Sequence, residues 1–455
     1  MLGDGYAGRT TASDWVRGGR VPHHPLPTVI AHVVSDALGS EITVPELWQG
    51  RARTSELWVP ASAGLDLPWT ASGTVNFLED WLRHAGGAIG MDRRKFLAVS
   101  GAALTAPAWA YIDAAAGGRA SLAALAASRK SVTVTSAMVD AIAAATAGLR
   151  NLGDVEGADD DNLRFVHHHF TYVARLLREA RFASAKVADQ LLAEWAELAQ
   201  LAGWMAHDAG GHGLSQRYFR SGLSAAHTTG DRSVGTYLLA CMSSCAVHAG
   251  RLDDGIELGR AARDAVQLAN AAYEVGKAAP AAVRALAASR YALAQAAVGD
   301  ARGYLAAADD ARTLLDAPGA LDHRPDYLSW FGPEALASQL AQGALTLVSV
   351  TGRDRDGFLG GAEEVLGASG ASAATSGRNA VFHAAWLARA QLAAGDLDRA
   401  AHAGRTALRR HVGVRSRRCG LILHRLTDDL AALPAHRQPP PLRELTDQLR
   451  AARAA

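Results

Sequence analysis

The sequence predicts an all-α protein built from consecutive helical hairpins, and three observations carry that expectation. Hydrophobic residues make up 49% of the 455-residue chain but aromatics only 6%, and the difference is largely alanine. Alanine is the best helix former, and its small side chain lets two helices approach closely. β-Branched residues, which favour sheets, are thin after about residue 140. Finally, apolar helical stretches recur, each broken by a glycine or Gly-Asp turn, with turn markers 40 to 53 residues apart.

Four regions follow along the chain. Residues 1–55 hold TTASDWVRGGRVP and PLPTVIAHVVSDALGSEITVPELWQGR. Residues 56–135 form a connector with Trp58, Trp69, Trp81 and Trp109 and the stretch MDRRKFLAVSGAALTAPAWA. Residues 136–432 read as consecutive helices, and 433–455 hold a proline-rich break, PAHRQPPP, before one last short helix.

The repeated unit is clearest in AAWLARAQLAAGDLDRAAHAGRTAL. Leu387 and Ala388 lie on its first helix, Gly395-Asp396 make the turn, and Ala400 and Ala407 face inward from the second. Small residues at the crossing and a Gly-Asp turn are the spacings of a tetratricopeptide repeat. Weaker copies turn near Gly210, Gly250, Gly299-Asp300 and Gly352, with Ala202-Gly203 at the first crossing. About five such units between residues 190 and 412 predict a right-handed α-solenoid of tetratricopeptide-like hairpins. Its first helices would line a concave groove. Candidate ligand- or partner-binding residues there are Trp204, Asp208, Arg217 and Tyr218 in the first unit and Ser243 with His248 in the second. Arg290 with Tyr291 and Trp386 with Arg389 continue the series, since arginine and aromatic side chains anchor peptide grooves.

Chemistry of other kinds finds little purchase. The net charge of +1 excludes whole-chain polyanion binding, so any nucleic-acid contact must be local. Cys241, Cys245 and Cys419 read as small buried thiols. Consecutive His167, His168 and His169 point about 100° apart on a helix and so cannot converge on one metal ion. There is no HExxH, Walker loop or GxSxG. The expectation is a non-enzyme with no metal and no cofactor. No stretch approaches 18 apolar residues, so no membrane span is expected.

The segment RTTASDWVRGGRVP has the shape of a DNA-reading helix. Thr10 or Thr11 would cap it, Trp15 and Val16 would face a core, and Gly18-Gly19 would end it. Ser13, Asp14 and Arg17 would stay exposed, as groove reading and phosphate contact require. Together with the PLPTVIAHVVSDALG segment, DRRKFLAVSGAAL and the LAGWMAHDAG…QRYFRSGLSAA repeat, it resembles actinobacterial helix-turn-helix regulators of the XRE class with C-terminal tetratricopeptide repeats. The resemblance covers most of the chain and includes streptomycete regulators of sporulation and antibiotic production. It implies a cytoplasmic transcriptional regulator that binds a peptide, small ligand or partner protein in the repeat groove, with a homodimer surface on the repeats. It also implies DNA contact by Thr10, Thr11, Ser13, Asp14, Arg17 and Arg20. The family pattern needs two helices before the recognition helix, and MLGDGYAG is too short for them. The helix-turn-helix segment is therefore incomplete as written, and DNA binding would need a longer amino terminus.

Two alternatives stand beside this reading. One is a protein-interaction scaffold that does not bind DNA. The other starts near Met91, where Arg93-Arg94, Phe96-Leu97 and Ala108-Trp109-Ala110 mimic a twin-arginine export signal and its cleavage site. Ser100, Gly101, Thr105 and Pro107 break its apolar run. In the structural alternative, Phe96, Leu97 and Val99 dock a short helix onto the array.

Overall fold

The computed structural model describes residues 132–158, 160–249, 255–352, 377–414, 416–434, 436 and 438–454, with isolated positions between 34 and 112. The chain divides into two compact units, 1–61 and 62–455. In the first, Val34 and Leu47 are helical and half-buried. Thr10, Thr11, Ser13, Asp14, Arg17 and Arg20 lie outside the described residues.

The second unit is all-α. Among the described residues its helices are α1 (Ser136–Glu156), α2 (Asp160–Glu179), α3 (Ala185–Asp208), α4 (His212–Thr229), α5 (Arg232–Ala249) and α6 (Gly255–Val275). They continue as α7 (Ala281–Ala297), α8 (Ala301–Asp316), α9 (Pro333–Thr351), α10 (Gly377–Ala394), α11 (Leu397–His411), α12 (Arg417–Ala431) and α13 (Pro440–Ala454). The described strands are β1 (Thr133–Val134) and β2 (Arg181–Phe182), paired in parallel with Thr133 opposite Arg181. They pin the start of α1 to the end of α2.

Why the chain turns where it does is visible at three Gly-Asp pairs. Gly230, Gly299 and Gly395 take φ of 70°, 79° and 85°, the left-handed conformation that ends a helix without a Cβ clash. The amide of the following Asp reaches back five residues: Asp231 to Ala226, Asp300 to Gln295 and Asp396 to Gln391. Each Asp carboxylate then caps the next helix, accepting from Val234 N at 3.1 Å, Gly303 N at 2.9 Å and Arg399 N at 3.1 Å. One dipeptide thus closes one helix and opens the next. Gly210 and Gly352, with φ of 82° and 65°, end α3 and α9 in the same conformation.

The hairpins pack through small residues. α3 packs on α4, α5 on α6, α7 on α8, α10 on α11 and α12 on α13. At the α3–α4 crossing a Cβ on Gly203 would fall 2.6 Å from the Phe219 ring, so only glycine lets these helices meet. The hairpin α7–α8 is closed mostly by alanine, with Ala285, Ala288, Ala292, Ala308 and Ala311 fully buried. The proline break at 433–441 does not end the packed body, because α13 lays buried Leu442, Leu445 and Leu449 against α11 and α12.

The first helix of each described hairpin touches the first helix of the next, with α9, whose following residues 353–376 lie outside the described residues, taking the fourth place in the series. These contacts run α3–α5, α5–α7, α7–α9, α9–α10 and α10–α12, and α12 returns to α3. Six helices therefore make a closed circuit, which α1 reinforces by touching both α3 and α10. Part of the connector docks onto the same body. Thr74 Oγ1 lies 2.8 Å from both Ser224 Oγ and Thr228 Oγ1 on α4, and the Tyr111 ring meets His227 edge-on at 6.0 Å. Leu104, Ala108 and Tyr111, which follow the twin arginines, are helical and buried. Among the described residues, no helix is long and apolar enough to cross a membrane.

Candidate functional site

A closed circuit of helices has an interior, and here it is a cavity of about 140 Å³ with a mixed polar and apolar wall. Every one of the six first helices contributes to its wall: Gln200, Leu201 and Trp204 from α3, Tyr237, Cys241 and His248 from α5, and Arg290 from α7. Gln339 and Gln342 come from α9, Arg378, Asn379 and Phe382 from α10, and Arg418 from α12. α1 adds Arg150 and Asp154, and the long α8–α9 connection adds Trp330. Among the described residues, no second helix of a hairpin reaches it. Gln339 is held by Ser289, whose Oγ–H donates to its Oε1 at 2.7 Å, and the Gln200 amide donates to Cys241 Sγ at 3.4 Å.

The α8–α9 connection is folded inward and not left loose. Arg324 donates to the Phe331 carbonyl at 2.7 Å, and Tyr327 stacks on Tyr237 at 5.3 Å with the planes 9° apart. That anchoring sets Trp330 at the cavity rim.

The seam where α12 and α10 meet α3 is built on one carboxylate. Asp208, at the last turn of α3, is wholly buried. It accepts from Ser416 Oγ at 2.9 Å, Arg418 Nε at 3.1 Å and Arg378 Nη1 at 3.5 Å. Arg378 also donates from Nη2 to Asp154 on α1 at 2.8 Å. A carboxylate this deep is tolerable only because cations and a hydroxyl replace its water. Arg418 is further held between ring faces, its guanidinium carbon 4.2 Å from the Phe382 centroid and 5.3 Å from Trp204. Burial lowers the Arg418 pKa and Arg378 lowers it further, with Asp208 opposing.

Behind Arg418 lies a smaller space of about 20 Å³ lined by His207, His212, His248, Phe382, Trp386 and Arg425, among others. His207 and His212 approach through their Nδ1 atoms at 3.2 Å, and His248 donates from Nδ1 to the Ser244 carbonyl at 2.7 Å. Burial holds all three imidazoles below their ordinary pKa, and neighbouring basic groups add to it: His212 and His248 for His207, Arg417 for His212, and Arg418 for His248. They are neutral at pH 7. Among the described residues no group of three or more His, Cys, Asp or Glu is arranged to hold a metal. Of the consecutive histidines, His167 is buried, His168 exposed and His169 half-buried, so they do occupy different faces.

Arg290 differs from the other cavity arginines. It is 91% buried by its 9% exposure, lines the cavity, and donates from Nη1 to Ser244 Oγ at 3.2 Å. Arg378 and Arg418 meet Asp208, and Arg150 meets Glu197 at 3.5 Å. Among the described residues no carboxylate pairs with Arg290. Burial lowers its pKa, with the Cys241 thiol and the Tyr237 hydroxyl opposing, yet an arginine stays cationic at neutral pH.

The residues expected in the groove divide by helix. Trp204, His248 and Arg290 line the cavity, and Asp208 forms the seam beside it. Trp386 lines the smaller space, and Arg389 lies over its ring at 4.9 Å while pairing with Asp429 at 2.6 Å. Arg217 and Tyr218 do not belong to the inner face, because they sit on α4, the second helix of its hairpin. Tyr218 is fully buried, with its hydroxyl 2.7 Å from His167 Nδ1 on α2. Ser243 faces its own hairpin partner and donates to the Ala265 carbonyl at 2.9 Å. Tyr291 is turned along α7, its hydroxyl accepting from Gln295 at 2.9 Å.

Residues that sequence reasoning missed include Arg378, Arg418, Gln200, Gln339, Gln342 and Phe382. A signal existed for some of them: Gln339 and Gln342 stand on the buried face of an otherwise apolar helix. All three cysteines are free and buried, and burial pushes the Cys241 thiol up to about 11. No known protein-family model matches the chain, and no curated protein matches it with significance.

Proposed function

We propose that this chain is a non-enzymatic regulatory protein. In this reading its tetratricopeptide-like hairpins form a right-handed α-solenoid that closes on itself and binds a ligand in the enclosed cavity. The observation that carries the reading is the cavity's wall: each of six first helices gives it a side chain, and polar groups converge there in an otherwise alanine-rich body. A ligand touching both ends of the series would hold the seam shut, and the docked connector at Thr74 and Tyr111 offers a route toward the amino-terminal segment.

The output side of the proposal rests on segment order. The helix-turn-helix-like stretch with Thr10, Ser13, Asp14 and Arg17 would contact DNA in the cytoplasm. A scaffold that holds another regulator is the companion reading, because the cavity and seam serve it equally. The burial of Ala108 and Tyr111 in the packed body favours a structural role for the twin-arginine stretch over an export signal.

One experiment addresses the ligand site. A defined library of acids, bases and neutral compounds is screened by thermal unfolding of the full chain and of a cavity-filling Gln342→Trp variant. The expected result is at least one compound that raises the wild-type Tm and leaves the variant unmoved. Stabilisation that is equal in both proteins, or absent throughout, contradicts a ligand site in this cavity. A gel shift with genomic fragments, with and without Arg17→Ala and Arg20→Ala, separates regulator from scaffold.

A further inference from the structure

The cavity's charge balance says which ligand it suits. Four arginines, Arg150, Arg290, Arg378 and Arg418, reach its wall. Asp154, Asp208 and Glu197 are engaged by Arg378, Arg418 or Arg150, and Glu194 also faces Arg150. Glu197 is moreover pushed up to about 7 by burial and by Glu194, so it is only partly ionised at neutral pH. None of these carboxylates pairs with Arg290, whose hydrogen bond goes to the Ser244 hydroxyl, so among the described residues its charge is the one without a carboxylate. A guanidinium buried without a carboxylate is costly, and a bound anion would offset that cost.

The rest of the wall describes the ligand's body. Trp204, Tyr237, Trp330 and Phe382 supply flat apolar surface, while Gln339 and Gln342 supply amides. A space of about 140 Å³ suits a small molecule. We propose, resting on the reading that this cavity is a ligand site, that it binds a small organic acid. One anionic group, carboxylate or phosphate, pairs with Arg290, and a planar apolar body lies among the four aromatic residues.

The test is calorimetric titration of the full chain with benzoate, phenyl phosphate, benzyl alcohol and benzylamine, which share a ring and differ in head group. Benzoate or phenyl phosphate binds, and the stronger of the two identifies the anion. Benzyl alcohol and benzylamine bind at least ~10-fold more weakly, as expected for a lost charge-assisted hydrogen bond. Arg290→Gln lowers acid affinity by about tenfold or more and leaves benzyl alcohol unaffected. Should Arg290→Gln fail to fold, Gln342→Glu supplies a competing internal carboxylate and abolishes acid binding instead. Equal or tighter binding of the alcohol or the amine overturns the inference while leaving the cavity a site. No binding by any of the four at millimolar concentration also overturns it. Whether the cavity is a site at all is read separately, from the library screen with Gln342→Trp.

Discussion

Two regions of this molecule hold helices together by opposite means. The α7–α8 hairpin is closed by alanines, with no ion pair between its two helices among the described residues. The seam between α3, α10 and α12 is closed by Asp208, Arg378, Arg418 and Ser416, all buried or nearly so. Apolar packing is tolerant and local, and it needs only small residues in step. A buried ionic seam is demanding: each member is stable only while the others are present. The α7–α8 hairpin is thus closed within itself by ordinary hydrophobic contact, and the series is closed end to end by a polar lock.

The comparison can be broken most forcefully at the lock. Asp208→Ala leaves Arg378 and Arg418 buried without their shared carboxylate, and it should cost about 3–5 kcal/mol of unfolding free energy. Chemical denaturation measures this. A loss below about 1 kcal/mol would place the seam on a par with surface ion pairs. The hairpin counterpart is Gly203→Ala, whose Cβ would fall 2.6 Å from the Phe219 ring. Overpacking of this kind costs about 1–3 kcal/mol, and ligand binding should persist wherever the protein folds. Smaller still is Asp300→Ala, which removes the α8 cap and should cost about 1 kcal/mol without altering the seam.

Acid should act on the two regions unequally. Burial keeps His207, His212 and His248 below their ordinary pKa, and His383 is lowered to about 4 for the same reason with Arg418 assisting. The unfolded chain takes up protons near the ordinary histidine pKa of about 6.5, whereas the folded chain resists them. Stability is therefore unaffected by these groups above that pH and falls as the pH drops from there toward the folded values. Denaturation midpoints between pH 7 and pH 5 check the sign. His248→Gln should flatten the profile, whereas Asp300→Ala should only displace it.

Much of the hairpin region was legible in the sequence. Gly299-Asp300 and Gly395-Asp396 announce their turns, because one glycine supplies the left-handed residue and one aspartate the next cap. Gly230-Asp231 has the same chemistry but separates one unit from the next and not the two helices within a unit. The seam was hardly legible. Asp208 and Arg378 are 170 positions apart, and Asp208 and Arg418 are 210 apart. Nothing local in either segment announces the other. Arg217 and Tyr218 show a second limit: both look like groove anchors by residue type, yet their place on α4 turns them away from the cavity. Which helix of a hairpin carries a residue decides its role more than its chemistry does.

The central claim is that the two ends of the hairpin series meet at Asp208 and thereby enclose the cavity. Hydrogen exchange on Asp208→Asn, compared with the unaltered chain, tests it most directly. Exchange should quicken at the carboxyl end of α3 and in the first turns of α10 and α12, while α7 and α8 keep their protection. Unchanged exchange at all three seam segments, or an equal rise across α7 and α8, would contradict the closed circuit.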